Sequence, residues 1–131
     1  MSESSERLKE NIKTFVKETL GCQCPDEVFE QIEHERSIQI YEDILLDSRI
    51  NIGNRLLVYV IKTNSEQFIV NNLESIVICG VVERDARGFN RFRIVIETAA
   101  SCKLHNMAHS VFSSIKNKDE KTHLHIVKKS F

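Results

Sequence analysis

Proline occurs once, at Pro25, and glycine only four times in 131 residues, which excludes collagen-like and Pro/Gly-rich disordered chains. Charge of one sign is lacking too: the formal net charge is −1, so no global field draws the molecule to nucleic acid or to an anionic membrane, and any such binding has to be local. Long apolar runs are missing; nothing approaches the roughly 18 residues of a membrane span. The first residues, Met1-Ser2-Glu3-Ser4-Ser5-Glu6, are acidic and polar where a secretory leader is basic and then apolar, so a cytoplasmic location is expected. Also absent are Gly-x-Gly-x-x-Gly, a Walker lysine loop, a Gly-x-Ser-x-Gly elbow and His-Glu-x-x-His, the marks of the common nucleotide-binding, serine-hydrolase and zinc-protease chemistries.

What is present suits a packed chain. Apolar residues make up 41% and charged residues 28%, and the length is that of a single domain, expected to span residues 1–131. From Ser5 onward Leu8, Ile12, Phe15, Val16 and Leu20 fall on one helical stripe that Gly21 ends. A second, short helix is expected from Pro25, with Asp26 and Glu27 at its positive end and Val28, Phe29 and Ile32 on its apolar face. Strands are expected over Ser37–Leu45 and Leu56–Ile61, the latter apolar throughout and therefore buried on both faces; Asp47–Asn54 reads as the turn between them.

Asn64 or Ser65 caps a longer helix lined by Ile69, Leu73, Ile76, Val77 and Gly80, which gives way near Asp85 to a loop containing Gly88. A strand over Arg91–Glu97 follows. Then come a helix burying Leu104, Met107, Ala108, Val111, Phe112 and Ile115, and a last strand over Thr122–Val127. The fold class is α+β, with α/β left open: one mixed sheet of about four strands, helices packed on it, in the order ααββαβαβ.

Four groups of residues carry possible chemistry. The first is Leu20-Gly21-Cys22-Gln23-Cys24-Pro25, with Cys24 at the expected N-cap, where the helix dipole favours a thiolate and hence reactivity or metal affinity. A compact turn with two packed thiols accounts for the same residues, and the Cys-x-Cys spacing is tighter than the Cys-x-x-Cys of zinc knuckles. The stretch Leu20-Gly21-Cys22-x-Cys24-Pro25-x-Glu27-Val28-Phe29 resembles the N-terminal motif of a family of small prokaryotic proteins of uncharacterised function. That resemblance implies no activity, cofactor or partner for these residues.

The second group, Cys102, His105 and His109, lies along one flank of a helix; with Cys22 and Cys24 it would make a site for zinc or another thiolate-bound metal, and otherwise these are surface or boundary side chains. Third, His123 and His125 share one face of the last strand by the two-residue period. Fourth, Arg84, Arg87, Arg91 and Arg93 surround Gly88 with Phe89 and Phe92 between them, a mixture able to hold phosphate or stack on bases, or else a solvated loop offset by Glu83, Asp85 and Glu97.

The reading that follows is a small cytosolic binding or accessory domain with a protein or small-molecule partner and no membrane. One alternative is a thiol-dependent metal or redox protein using Cys22 and Cys24. The other is an anion or nucleic-acid binder acting through residues 84–93, with nucleic acid disfavoured by the charge balance. Catalysis lacks a sequence mark, although carboxylates that pair only in space leave none.

Cys79, at the margin of an apolar stripe, is expected to pack as a small hydrophobe. Cys79→Ala should therefore cost about 1 kcal/mol or less, measured by thermal melts. In a labelling time course on the native protein, Cys79 reacting faster than Cys22 and Cys24 would reverse the assignment of structural and reactive thiols.

Overall fold

The structure is a computed structural model that describes residues 2–21, 26–100, 102–116 and 118–131. Helix α1 spans Ser2–Thr14 and passes into a π-helical turn at Phe15–Thr19, closed by the Leu20 N–H donating to the Phe15 carbonyl at 3.2 Å. Asp26–Glu30 forms the short second helix as five residues of 3-10 helix. The expected second helix is thus cut short, and Ile32, assigned above to its face, is already the first residue of a strand.

The sheet has five strands, not about four: β1 Ile32–Tyr41, β2 Ile44–Ile52, β3 Leu56–Lys62, β4 Arg91–Glu97 and β5 Thr122–Val127, side by side in that order. The first three are antiparallel; β3, β4 and β5 are parallel. Helix α2 (Glu66–Arg87) joins β3 to β4 and helix α3 (Cys102–Ser114) lies between β4 and β5. The fold is therefore α+β, with one mixed sheet and three α-helices among the described residues.

The overlooked strand is β2, two thirds of which occupies the segment expected to be a turn. Its Ile44, Leu46, Ser48, Ile50 and Ile52 alternate strictly and are all buried, while Asp47, Arg49 and Asn51 fill the other positions. The chain reverses at Glu42-Asp43 instead, and again at Gly53-Asn54. There Arg55 N–H donates to the Ile52 carbonyl at 3.0 Å, and both central residues have positive φ (59° and 57°), as a primed hairpin turn requires. Gly53 is needed twice over, because a Cβ there would also press on the backbone and side chain of Val28.

Each face of the sheet has its own core. On one, Ile12, Phe15, Val16 and Leu20 of the α1 segment, with Val28 and Phe29, cover Ile50, Ile52, Leu56, Val58, Val60 and Val95. On the other, Ile69, Leu73, Ile76 and Val77 of α2 and Ala108 of α3 cover Leu57, Tyr59, Ile61, Phe92, Ile94 and Ile96. The β1–β2 hairpin changes sides. Ile32, Ile50 and Ile52 belong to the α1 core, whereas Ile38, Ile40, Ile44 and Leu46 pack on the α2 core. The change falls at Ser37, whose φ is 54°, between the pairs Arg36↔Ser48 and Ile38↔Leu46.

The ends of α2 are as expected at the start and later than expected at the finish. Ser65 is the N-cap, its hydroxyl accepting from Phe68 N–H at 3.1 Å, and Gly88 at φ 76° is the C-cap after Arg87. Gly80 brings α2 against the sheet: a Cβ there would overlap the ring of Phe92, which is fully buried and has no room to retreat. Gly80→Ala gains helix propensity worth about 1 kcal/mol but overpacks the core by about 1–3 kcal/mol. The clash with an immobile ring places it at the upper end, so a net loss of about 2 kcal/mol is expected in urea unfolding. Phe92→Leu should relieve the Gly80→Ala penalty in the double variant; additive losses would show that the two residues do not meet.

Candidate functional site

The carboxyl ends of β3, β4 and β5 open into a crevice of about 410 Å³, lined by Lys62, Thr63, Asn64, Glu97, Thr98, Ala99 and Lys128. In parallel sheets ligands commonly bind at this end, where the loops leaving the strands diverge. Here hydrogen bonds fix those loops. The Asn64 side-chain oxygen accepts from the Thr98 hydroxyl at 2.7 Å and from Ala99 N–H at 3.0 Å, tying the loop after β3 to the loop after β4. Thr98 Oγ1 in turn accepts from Ala100 N–H, and Thr63 Oγ1 from Ser65 N–H.

Glu97 is the acid of the crevice. Its Oε1 accepts from both the amide and the hydroxyl of Ser130, at 2.8 and 2.6 Å, and Oε2 lies 3.9 Å from Lys62 Nζ. Burial alone would raise its pKa, but the bonds from Ser130, then the charges of Lys62 and Lys129, hold it below the ordinary carboxylate value. Glu97 therefore stays ionised and occupied. Two lysines face one engaged carboxylate, and Lys128 makes no ion pair among the described residues.

The four arginines around Gly88 do not converge. Arg84 is buried and turned inward: it donates to both Asp119 oxygens at 2.8 Å, to Asp85 at 3.0 Å and to the Thr122 hydroxyl at 3.2 Å. The bond from Arg84 draws the Asp119 pKa down to about 2. Arg87 pairs with Glu83 at 2.8 Å and lies over the Phe89 ring. Arg91 and Arg93 are on the opposite side of the sheet, in register with Leu56 and Val58 of the α1 core.

Cys22 and Cys24 lie outside the described residues. Cys102 and His109 are exposed and His105 half-buried on α3, and no group of three or more His, Cys, Asp or Glu side chains able to hold a metal occurs among the described residues. His123 and His125 share a face as expected, but it is the α1 face: Leu124 and Ile126 point to the α2 core, where α3 packs. They therefore do not meet His105 and His109. Cys79 packs against the α2 core with Sγ 3.8 Å from the Tyr59 hydroxyl. That hydroxyl also donates to Glu83, and burial first, then this bond, pushes the Tyr59 phenol upward.

What the two strand histidines do meet is Arg93. Parallel pairing sets Arg93 against His123 and Val95 against His125, and Arg93 Nη1 lies 3.1 Å from His125 Nε2. Burial, then the charges of Arg93 and His123, lower the His125 pKa to about 4; burial, then Arg93, lower that of His123.

Neither the crevice residues Lys62, Thr63, Asn64, Thr98 and Lys128 nor the Arg93–His125 contact was visible in the sequence, because both depend on which strands lie side by side. The signal available was their place at or near the ends of strands. Comparison with protein-family models, with curated proteins and with solved structures finds no match.

Because the folded His125 has a depressed pKa, the unfolded chain takes up the proton first. Stability is therefore full above the unfolded value near 6.5 and falls as the pH drops towards about 4. Between pH 7 and 4.5 the His125 contribution should be on the order of 1 kcal/mol after solvent screening is discounted. Urea unfolding across that range checks it: His125→Gln should flatten the decline, and an unchanged slope would remove His125 as its source.

Proposed function

We propose that the chain is a binding domain whose crevice at the carboxyl ends of β3, β4 and β5 takes a small anionic molecule. The observation that carries this reading is the composition of the crevice: Lys62 and Lys128 stand over loops already held in place, with a single carboxylate that Ser130 occupies. Charge-assisted bonds from two ammonium groups give the attraction. The Asn64 clamp supports affinity by leaving little loop ordering to be done on binding. Glu97, ionised and doubly hydrogen-bonded, serves as a support for Lys62 rather than as a base poised to take a proton.

The test is thermal unfolding of the full chain against a panel of phosphorylated and carboxylated metabolites. A ligand present at a hundred times its Kd stabilises by about 2.7 kcal/mol, a shift of several degrees for a domain of this size. The double variant Lys62→Ala/Lys128→Ala should lose at least tenfold in affinity for any ligand found. A panel without a binder, or a ligand held equally well by that variant, would sink the proposal.

A further inference from the structure

Among the described residues Arg93 is a half-buried cation without a counter-ion. Its Nε is shielded from solvent and has no hydrogen-bond partner, and the guanidinium forms no ion pair among the described residues. The one side-chain partner among the described residues is His125, and its geometry fixes a tautomer. An arginine only donates, so His125 Nε2 must accept and the ring proton sits on Nδ1, leaving a second N–H donor free to serve a ligand. His123 stands in register with Arg93 and gives one ring nitrogen to the Glu120 carbonyl. The charged side chains that act on the two imidazoles are basic: Arg91 and Arg93.

The contrast with Arg84 is instructive. That guanidinium, buried where Arg93 is half-buried, carries two carboxylates and a hydroxyl, as a buried charge requires. Arg93 carries an imidazole in their place, and its unmet needs are those of a cation awaiting an anion. Glu97, the nearest acid along β4, is four residues away, about 13 Å at the rise of a strand, and is engaged by Ser130.

We infer that Arg93, His123 and His125 form a second anion site, on the α1 face of β4 and β5, that takes a phosphate group. One guanidinium and two imidazoles able to gain protons, side by side on one face of adjacent strands, suit a group with up to two charges and several acceptor oxygens better than a carboxylate with one charge. This site is separate from the crevice and does not depend on it. Binding reverses the local balance: an anion among the three side chains stabilises protonated His123 and His125, which burial and then Arg93 disfavour.

The experiment follows the histidine ring signals by NMR while the full chain is titrated with inorganic phosphate, methyl phosphate or acetate. Saturable shifts of His123 and His125 with phosphate, absent at His105 and His109, are expected. Arg93→Gln should weaken the response at least tenfold, whereas Lys62→Ala/Lys128→Ala should leave it unchanged. Methyl phosphate matching inorganic phosphate would identify a phosphate ester as a fitting occupant, and a preference for the inorganic ion would identify free phosphate. Should Arg93→Gln fail to fold, His125→Gln, which keeps the cation, is expected to weaken phosphate binding severalfold. No saturable shift, an equal response to acetate, or full binding by the folded Arg93→Gln or His125→Gln variant would overturn the inference.

Discussion

Burial of β3 on both faces is the constraint from which the rest of the architecture follows. Its residues Leu56 to Ile61 are all withdrawn from water, and the two-residue period of a strand sends Leu57, Tyr59 and Ile61 to one side and Leu56, Val58 and Val60 to the other. A strand of this kind cannot sit in a two-layer fold with one face wet. The α1 segment must cover one side and α2 with α3 the other. Gly80 and Phe92 then set how closely α2 approaches the sheet, and Gly53 sets how closely the β2–β3 turn approaches Val28.

The same strand is the seam between the antiparallel and parallel halves of the sheet. On the antiparallel side the hairpin closes over both cores by changing sides at Ser37, and the Tyr41 hydroxyl reaches the Ser75 carbonyl of α2 at 3.4 Å. Asp47 accepts from Lys62 N–H at 2.6 Å, so β2 and the end of β3 stay joined after their regular pairing stops at Ser48↔Val60. On the parallel side the chain leaves each strand at the same end. The polar residues that begin the connections, Thr63 and Asn64 after β3 and Thr98 after β4, are gathered into one crevice.

Elements with a single dominant period were legible in the sequence. The apolar run of β3, the stripe of α2 with its Ser65 cap, the strand over Arg91–Glu97 and the alternation in β5 all survive in the structure. The β1–β2 hairpin was not, for a physical reason. Asn51 and Gly53 carry turn chemistry, but Asn51 spends it inside a strand: its amide nitrogen donates to Glu33 at 2.7 Å and to Asn54 at 2.8 Å, while its oxygen accepts from Asn54 N–H. The side chain that looked like a turn former braces the turn from outside. Arg49, also within the expected turn, is a strand residue balanced by Glu35 across the β1–β2 pair and by Glu83 of α2, at 2.9 and 3.6 Å. The arginines around Gly88 were legible as residues but not as a site, since helix C-cap and strand start turn them to opposite sides of the sheet.

Apolar packing, rather than any attraction among the polar residues, brings Arg93, His123 and His125 together. Ile94 and Ile96 of β4 and Leu124 and Ile126 of β5 fill the α2 core, while Val95 and Val127 pack into the α1 core. Slipping β5 by one residue would send Leu124 and Ile126 to the wrong face and the two histidines into the α2 core, an arrangement the hydrophobic pattern forbids. The register is thus fixed by side chains with no chemistry of their own, and the polar residues between them take whatever neighbours that register assigns. Among the described residues Arg93 is assigned two imidazoles and no carboxylate. A cation placed so, by forces indifferent to its charge, is held half-buried without the carboxylates that Arg84 has among the described residues.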